Sequence, residues 1–251
     1  MTPANPKIRL FVPDRLSAAA GVALSPGQAH YLGHVMRRAA GDGVLLFNGR
    51  DGEWSAEIET LKKGRCRAVA RRQVRGQEAE QGPWLAFAPI KKAGTDLIVE
   101  KATELGASRL CPVFTRNTNV ARVNRDRLQA RAIEAAEQCQ RLTVPEVAAP
   151  MTLRELTDGW PKKRRLLVLD ETGAGTAIAV VLMGLRGDDR NAFQPCGFLS
   201  GPEGGFDAGE LDALRKLDFV TTVGLGPRVL RAETATLSAL ACWQALLGAA
   251  R

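Results

Sequence analysis

The sequence predicts an α/β protein in which a small N-terminal β domain precedes a larger domain built on a mainly parallel sheet. Residues 44–74 contain three short strand patterns, and the Asn-Gly pair that begins at Asn48 is a strong hairpin signal. Residues 76–83 are polar and bounded by glycine and proline, as domain linkers are. Beyond residue 84, apolar strand patterns alternate with helical patterns, which is typical of an α/β sheet.

The N-terminal domain opens with a strand and a short helix. Residues 8–12 read as a strand, in which alternation places Arg9 on the face opposite its apolar neighbours. Ser25 is followed by Pro26, so we expect Ser25 to be the N-cap and Pro26 the first residue of a helix. We expect that helix to end near Gly41.

Three further strands are predicted in this domain, at residues 44–47, 54–61 and 65–74. The last of them alternates small apolar residues with mostly basic ones, and strand alternation therefore gives it a basic face. The inward residues are Cys66, Ala68 and Ala70, and the basic ones are Arg65, Arg67 and Arg71. Together these strands predict a compact, barrel-like β domain.

The positive charge of the chain is concentrated in this small domain. The 251 residues carry a formal net charge of +8. Residues 1–76 hold 13 Lys and Arg against 6 Asp and Glu, so they account for almost the whole excess. A domain with such a surplus favours a polyanionic partner, of which nucleic acid is the commonest.

The larger domain reads as alternating strands and helices. The strand at 165–170 is a near-continuous apolar run, as expected where both faces of a parallel sheet are covered. The last helix begins at Arg231 and is apolar over much of its circumference, so it is buried either in its own domain or in a partner. The predicted strands are 84–88, 109–114, 165–170, 198–200 and 220–223, and the predicted helices before the last are 95–105, with Leu97, Ile98, Ala102 and Leu105 inward, and 124–140.

The composition argues against a membrane protein, a disulfide-rich protein and a metal-binding protein. No apolar run approaches the length of a membrane span, and residues 1–5 lack a hydrophobic signal core, so a cytoplasmic location is expected. The five cysteines are scattered and form no C-x-x-C pair, which argues against disulfides and a zinc ribbon. His30 and His34 stand four apart but lack the glutamate of an H-E-x-x-H site, so we expect no metal.

Two glycine loops near the C-terminus indicate a ligand pocket. The first is Gly-Pro-Glu-Gly-Gly at 201–205, and the second runs from Gly224 into the start of the last helix. Glycine takes positive φ without strain and has no side chain to keep a ligand away from the backbone. The helix start adds free N–H donors beside the charges of Arg231 and Glu233.

A competing motif lies at residues 166–175, where an apolar strand is followed by acidic residues and glycines. It suggests a nucleotide loop of a Rossmann-type enzyme, but the full G-x-G-x-x-G is absent. The chain also lacks a Walker P-loop, a G-x-S-x-G elbow and paired metal carboxylates. Kinase, hydrolase and metalloenzyme functions therefore have no motif to support them.

The two loops, read together with Leu225-Gly-Pro-Arg-Val-Leu-Arg-Ala-Glu-Thr-Ala235, resemble the SPOUT superfamily of knotted methyltransferases. More closely they resemble the ribosomal RNA small subunit methyltransferase E family. The stretch from His30 through Val35-Met36-Arg37 to Gly41-Asp42 resembles that family's PUA-like RNA-binding domain. The resemblance implies a PUA-like domain at 1–76, a SPOUT domain with a trefoil knot at 84–251, a homodimer with the last helix at its interface, and an S-adenosyl-L-methionine pocket.

The activity implied by the resemblance is methylation of uridine N3 in 16S ribosomal RNA of the small ribosomal subunit. The cofactor-binding residues would be Leu169, Glu171, Leu199, Gly201, Gly204, Gly205, Leu225, Gly226, Leu230 and Thr234. Arg231 and Arg228 would stabilise negative charge on the base, Glu203 is a weaker candidate for the proton acceptor, and Arg9, His30, Arg37 and Arg38 would bind RNA. The alternatives are methylation of another RNA position by a SPOUT enzyme and a non-catalytic RNA-binding assembly factor.

Overall fold

The computed structural model describes residues 8–62, 64–78, 80–187 and 193–248. Two compact units emerge from the contacts within the chain. The first contains residues 1–79 and 136–144, and the second contains residues 80–135 and 145–251. Lys7 and Lys63, which contribute to the predicted basic surplus, and the first five residues lie outside the described residues.

The first unit is built on a five-stranded sheet in the order β1-β3-β4-β5-β2. Strands β1 and β3 are parallel to each other, and the other three pairs of neighbouring strands are antiparallel. The predicted strands are all present. The second strand was not predicted, because two of its four residues are Gly21 and Ala23, and both residue types are uncommon in strands. The elements are β1 (Arg9–Phe11), β2 (Gly21–Leu24), α1 (Pro26–His30), β3 (Gly43–Phe47), β4 (Glu53–Lys62) and β5 (Arg65–Arg75).

Helix α1 starts as predicted and ends earlier than predicted. The Ser25 hydroxyl accepts a hydrogen bond from the backbone N–H of Gln28, whose side chain binds back to the backbone of Ser25, so the helix has a capping box. A π-helical stretch, Tyr31–Val35, follows α1 directly. The prediction of a helix reaching Gly41 was wrong, because Arg37 adopts a φ of 50°, a left-handed conformation that a helix cannot continue through.

The basic face of β5 is real, but acidic residues on β4 partly neutralise it. Cys66, Ala68 and Ala70 are buried, whereas the arginines between them are exposed. Arg67 pairs with Glu59 at 2.8 Å, and Arg71 pairs with Glu57 at 3.2 Å. Such exposed cross-strand pairs contribute little to stability, about 0–1 kcal/mol each.

Arg9 is part of the interior of the first unit and does not form the solvent-facing side of β1. Only 9% of the residue is exposed. Its guanidinium donates to Oε1 of Glu53 at 2.5 Å and to three carbonyl oxygens, those of Ala136, Glu137 and Arg141. The placement of Arg9 among RNA-binding residues is therefore not supported, since its donors are already used inside the unit.

The second unit contains a sheet in which every strand pair is parallel. The order is β11-β13-β10-β12-β6-β7-β8, and β9 also pairs with β7. The strands are β6 (Trp84–Phe87), β7 (Arg109–Phe114), β8 (Glu146–Val147), β9 (Met151–Thr152), β10 (Arg165–Leu169), β11 (Thr176–Ala177), β12 (Cys196–Ser200) and β13 (Val220–Gly224). The helices are α2 (Lys92–Glu104), α3 (Arg125–Gln138), of which residues 136–138 belong to the first unit, α4 (Leu153–Gly159), α5 (Ile178–Gly184), α6 (Ala208–Arg215) and α7 (Ala232–Leu246).

The apolar stripe of α7 is buried within its own unit. Thr236, Leu240, Trp243 and Leu247 are all at most 7% exposed. The core alternative therefore holds for this stripe, and a dimer interface on α7 stays a prediction. Leu97 of α2 was predicted to face inward but is exposed. Among the described residues, no helix is long and apolar enough to cross a membrane.

The strand order brings three chain segments to one edge of the sheet. Strands β12, β10 and β13 are neighbours, and because they are parallel their carboxyl ends meet at that edge. The segments that leave them include both glycine loops and the acidic stretch after β10. Ligands of open α/β sheets bind outside the carboxyl ends of the strands, so this edge is where a site is expected.

Candidate active site

A cleft of about 430 Å³ lies at the carboxyl edge of the sheet in the second unit. We call it the glycine-loop pocket. It is formed by the turns after β10 and β12 and by the chain that leads from β13 into α7. Its lining comprises Leu169, Asp170, Glu171, Thr172, Gly173, Ser200, Gly201, Pro202, Glu203, Gly205, Val223, Leu225, Gly226, Pro227, Arg228, Val229, Leu230, Arg231, Ala232 and Ala235.

The structure brings most of the sequence-predicted site residues together in this lining. Those present are Leu169, Glu171, Gly201, Glu203, Gly205, Leu225, Gly226, Arg228, Leu230 and Arg231. Three predicted cofactor-binding residues do not line it. Leu199 is fully buried in the core beneath, Gly204 packs against Asn117, and Thr234 is exposed on α7.

At Gly205 and Gly226 the pocket is lined by main-chain atoms alone, which we call its backbone wall. Gly205 has a φ of 68°, and a Cβ atom there would lie 2.1 Å from Oε1 of Glu171. Gly226 has a φ of 107°, and a Cβ atom there would have no heavy atom within 4 Å among the described residues. Both conformations strongly favour glycine over any residue with a side chain. Asn117 holds the first loop from outside, because its side-chain amide donates to the carbonyl oxygens of Gly204 and Gly205 at 3.2 and 3.1 Å.

Asp170, which sequence reasoning missed, is a buried carboxylate in the pocket wall. Its Oδ1 accepts hydrogen bonds from the backbone N–H of Thr172 at 2.9 Å and from the Thr172 hydroxyl at 2.6 Å. Its Oδ2 accepts from Nη2 of Arg215 at 2.8 Å. Burial by itself would raise the pKa of the Asp170 carboxyl, but the bonds from Thr172 and Arg215 outweigh it and hold that pKa below its ordinary value.

The carboxyl end of β12 is also fixed to the N-terminal part of α7. Ser200 and Thr236 are both buried, and their hydroxyl oxygens lie 2.8 Å apart. The carbonyl oxygen of Ala232 lies within reach of both hydroxyls, at 2.8 Å from Thr236 and 3.5 Å from Ser200. These contacts position Arg231, the N-cap residue of α7, next to the first glycine loop.

The three predicted catalytic side chains are accessible at the mouth of the pocket. Arg228, Arg231 and Glu203 are exposed. Within the described ranges none of them has an ion-pair partner, so the alternative of Arg231 as a member of a local ion pair has no support. Their charges are available to a ligand.

The predicted RNA-binding residues of the first unit lie on and just after α1. The rings of His30 and His34 stack with centroids 4.6 Å apart. Arg37 is exposed and Arg38 is half-buried, with a buried Nε that has no hydrogen-bond partner in the part of the chain described. No group of three or more His, Cys, Asp or Glu side chains that could hold a metal occurs among the described residues.

The cysteines are free thiols in or near the core, as predicted. Burial raises the pKa of the Cys111 thiol to about 11 and that of the Cys196 thiol to about 12. A thiol with such a pKa stays protonated near neutral pH and is a poor nucleophile. None of the residues that line the glycine-loop pocket is a cysteine, and its charged side chains are arginines and carboxylates.

Comparison with known proteins decides the family. A model described as "RNA methyltransferase domain" matches residues 78–244, and one described as "RNA methyltransferase PUA domain" matches residues 24–70. A ribosomal RNA small subunit methyltransferase E from Rickettsia conorii is 32% identical over 237 residues, which cover 93% of each chain. The chain belongs to the ribosomal RNA small subunit methyltransferase E family. The family resemblance seen in the sequence is thereby confirmed.

Further similar proteins agree with this assignment in sequence and in fold. The Synechocystis protein is 33% identical over 95% of this chain and 78% of its own length. The crystal structure of the Neisseria gonorrhoeae enzyme, which is bound to S-adenosyl methionine, has a TM-score of 0.82 at 29% identity and covers 95% of this chain and 97% of its own. A Legionella pneumophila methyltransferase in complex with the same cofactor has a TM-score of 0.81 at 25% identity, covering 96% and 98%. The predicted fold class, a mainly parallel α/β domain preceded by a PUA-like β domain, is confirmed.

Proposed function

We propose that the chain transfers a methyl group from S-adenosyl-L-methionine to N3 of a uridine in 16S ribosomal RNA of the small ribosomal subunit. The observation that carries the proposal is the glycine-loop pocket, in which two glycine loops and the start of α7 meet in a chain of this family. Solved relatives of the same fold hold the cofactor. We further propose that the reaction takes place in the cytoplasm.

The pocket fits a ligand of this kind. Its volume of about 430 Å³ lies in the range of small-molecule sites. The positive-φ glycines at 205 and 226 leave main-chain groups open to a ligand, and a side chain at 205 would meet Glu171. The apolar residues Leu169, Leu225 and Leu230 offer contacts for a flat ring system, and we propose that they hold the adenine with the neighbouring backbone.

The reaction requires alignment of three atoms: the uridine N3, the methyl carbon and the sulfur. S-adenosyl-L-methionine supplies an electrophilic methyl group on a sulfonium that already is a good leaving group. The N3 proton of uridine lies in the base-pairing edge, so the base has to be unpaired or flipped before it reacts. The new bond joins N3 to the methyl carbon, the carbon–sulfur bond breaks, and the N3 proton has to be removed.

The exposed charges at the pocket mouth suit these demands. We propose that Arg231 stabilises the negative charge that develops on the uracil ring, and that Arg228 helps to orient the base. The N3 proton needs an acceptor, and Glu203 is the weaker candidate for it, since it lines the pocket without an ion-pair partner among the described residues. These three side chains form no ion pair with any residue that the structure describes, so their charges are free for these roles.

The first unit is proposed to hold the RNA substrate. Its positive surplus and the family model for a PUA domain support this role. We assign it to His30, Arg37 and Arg38, and we exclude Arg9 because its guanidinium is buried in ion-pair and carbonyl contacts. We therefore keep the domain roles proposed from the sequence. Residues 1–76 would bind RNA, and residues 84–251 would transfer the methyl group.

We also propose a homodimer. On α5 of the second unit, Val180 and Met183 are 64% and 65% exposed, which is unusual for large apolar side chains on one short helix. A second copy of the chain would cover them. Analytical ultracentrifugation tests this proposal: a Val180→Glu/Met183→Glu variant should sediment as a monomer, and a dimer that survives both changes would place the interface elsewhere.

The enzymatic proposal is tested by methyl transfer from labelled S-adenosyl-L-methionine to small ribosomal subunits that lack the modification. The product nucleoside is identified by mass spectrometry against 3-methyluridine. Its appearance supports cofactor, reaction and substrate together. A different methylated nucleoside would keep the reaction class and change the target. Cofactor binding without transfer to subunits or to any cellular RNA would favour the non-catalytic assembly factor.

A further inference from the structure

A second groove lies at the same carboxyl edge of the sheet, outside the glycine-loop pocket. Its volume is about 580 Å³. It is formed by the chain after β6, the first turn of α2 and the segment that precedes α3. We call it the basic groove, and the residues that matter for the argument are Ile90, Lys92, Val120, Arg122, Val123 and Arg127.

Local hydrogen bonds give the basic groove a fixed shape. The Thr95 hydroxyl accepts from the backbone N–H of Ile90 at 3.0 Å and lies 2.9 Å from the Ile90 carbonyl oxygen, so it closes the turn between β6 and α2. The Asn124 side chain caps α3 by accepting from the backbone N–H of Arg127 at 2.9 Å. Arg127 also forms an ion pair with Asp96, which joins α2 to α3.

The charge of the groove is positive and uncompensated. Asp96, the acid beside it, is engaged by Arg127. Lys92 and Arg122 are exposed, and neither has an ion pair or a side-chain hydrogen bond within the described part of the chain. Ile90, Val120 and Val123 add an apolar surface between the cations. This combination suits a polymer that carries both phosphates and flat, partly apolar bases.

The chain segments that line the basic groove are hydrogen-bonded to the segments that line the glycine-loop pocket. Strands β6 and β12 are neighbours, and the backbone N–H of Ala88 donates to the carbonyl oxygen of Ser200 at 2.9 Å. The segment after β7 contacts the first glycine loop through Asn117 and then continues to Val120 and Arg122 in the groove. A strand that delivers one base to the pocket can therefore continue along the same edge.

We propose that the basic groove binds the phosphodiester backbone of the substrate RNA next to the nucleotide that is methylated, with Lys92 and Arg122 as its phosphate contacts. This inference rests on the proposed function and extends it. The groove places a single-stranded part of the RNA along the sheet edge, so the target base is presented already out of its pair. Lys92 and Arg122 act as positioning residues and take no part in bond making.

The test compares two neutralised double variants of the full chain. Lys92→Gln/Arg122→Gln alters the groove. Lys163→Gln/Lys216→Gln is the matched control, because both lysines are exposed, form no ion pair with a described residue, and precede β10 and β13 at the opposite edge of the sheet. Binding of a fluorescent uridine-rich 12-nucleotide RNA is measured from 50 to 200 mM salt, together with S-adenosyl-L-methionine binding and steady-state methyl transfer to unmethylated small subunits.

The groove variant should bind RNA more weakly, with a salt dependence (log K against log salt) less steep by about 1.4, since each single-strand phosphate contact contributes about 0.7. Its deficit relative to the unaltered chain should therefore shrink about sevenfold between 50 and 200 mM salt. KM for subunits should rise while kcat and cofactor binding stay unchanged. The control should match the unaltered chain in RNA affinity, salt slope, KM, kcat and cofactor binding.

A groove variant that equals the control in affinity and salt slope would overturn the inference, even if methyl transfer is intact. If the unaltered chain transfers no methyl group, the proposed function fails separately. Should the groove variant fold poorly, crosslinking of the unaltered chain to a 4-thiouridine RNA decides: crosslinked peptides from residues 89–95 and 120–127 support the groove, and crosslinks confined to other segments contradict it.

Discussion

Arg215 of α6 donates a 2.8 Å hydrogen bond to Asp170, whose side chain is fully buried in the wall of the glycine-loop pocket. The partners lie 45 residues apart in the sequence. Because Asp170 also accepts two bonds from Thr172, its carboxylate fixes the turn after β10 that carries Glu171 into the pocket. The pocket wall therefore contains a buried carboxylate that accepts three hydrogen bonds.

We predict that Asp170→Asn destabilises the protein by about 2–3 kcal/mol and weakens cofactor binding, since charge-assisted hydrogen bonds are replaced by weaker ones. The folded-state pKa of Asp170 lies below its ordinary value of 3.8. Its contribution is therefore fully present above pH 3.8 and is lost as the pH falls through the folded-state pKa. Urea unfolding of both proteins at pH 7 and near pH 3 measures the difference.

The stability difference between Asp170→Asn and the unaltered chain should shrink at the lower pH. Asp212→Asn is the control, because this exposed carboxylate also pairs with Arg215, at 3.6 Å, but lies outside the pocket lining. Equal effects of the two changes would mean that the pocket wall does not depend on the buried carboxylate.

Gly205→Ala tests the backbone wall of the pocket. At a φ of 68°, alanine costs about 1–2 kcal/mol, and its Cβ would force the Glu171 carboxylate to move. We expect at least a tenfold loss of S-adenosyl-L-methionine affinity in isothermal titration calorimetry. Gly184→Ala is the control, since a Cβ atom at Gly184, the last residue of α5, would meet no described heavy atom within 4 Å, and it should leave the affinity unchanged. Cofactor binding by Gly205→Ala as tight as in the unaltered chain would argue against this wall.

Arg231→Ala should separate binding from catalysis. Arg231 is exposed and its side chain makes no capping hydrogen bond to α7, so the stability should change by no more than about 0.5 kcal/mol. Loss of charge stabilisation at the base should lower kcat by about 100- to 1,000-fold while the cofactor affinity stays within a factor of three. Steady-state methyl transfer and calorimetry measure the two quantities. A loss of cofactor affinity that matches the loss of rate would move Arg231 from the base to the cofactor.

Arg37 combines an unfavourable backbone conformation with an exposed charge. Its φ of 50° costs a residue with a side chain about 1 kcal/mol relative to glycine. Arg37→Gly should therefore leave stability equal or raise it, but RNA binding should weaken and the salt slope should fall by about 0.7, one single-strand phosphate contact. Chemical denaturation and RNA titration measure both. If RNA binding is unaltered, Arg37 has no part in the RNA surface.

The central strands were predictable from their apolar runs, and both glycine loops were predictable from the glycines that follow those runs. The run Leu166–Leu169 is buried, as the sequence predicted. A short, continuous apolar run of this kind indicates a strand in a parallel sheet that is covered on both faces. The two-residue strands β8, β9 and β11 were missed, because two residues carry no periodicity. The short helices α4 and α5 next to them were missed as well, since seven residues give fewer than two turns of helical pattern.

Contacts between distant segments account for the remaining differences. Periodicity showed that α7 is apolar, but it cannot say whether Leu240 and Trp243 meet their own sheet or a second chain. Asp170, directly after β10, was not predicted as a site residue because its partner Arg215 lies on α6, 45 residues away in the sequence. Strand alternation placed Arg9 outward, whereas residues 136–144 cover that face, which no local pattern reveals.

Arg9→Met tests whether this arginine is a structural residue. The change leaves Glu53, which is 3% exposed, with only the more distant Arg75 at 3.7 Å among the described residues. Removing one partner of a buried ion pair typically costs about 3–5 kcal/mol, and here the carbonyl oxygens of Ala136 and Arg141 lose their donors as well. Urea unfolding should show a loss in this range.

The double variant Arg9→Met/Glu53→Gln should recover part of that loss, because it removes the buried charge that Arg9→Met leaves behind. Under conditions in which Arg9→Met remains folded, its RNA affinity and salt slope should equal those of the unaltered chain, since the guanidinium is buried in the folded unit. A lower salt slope with unaltered stability would reverse the assignment and return Arg9 to the RNA surface.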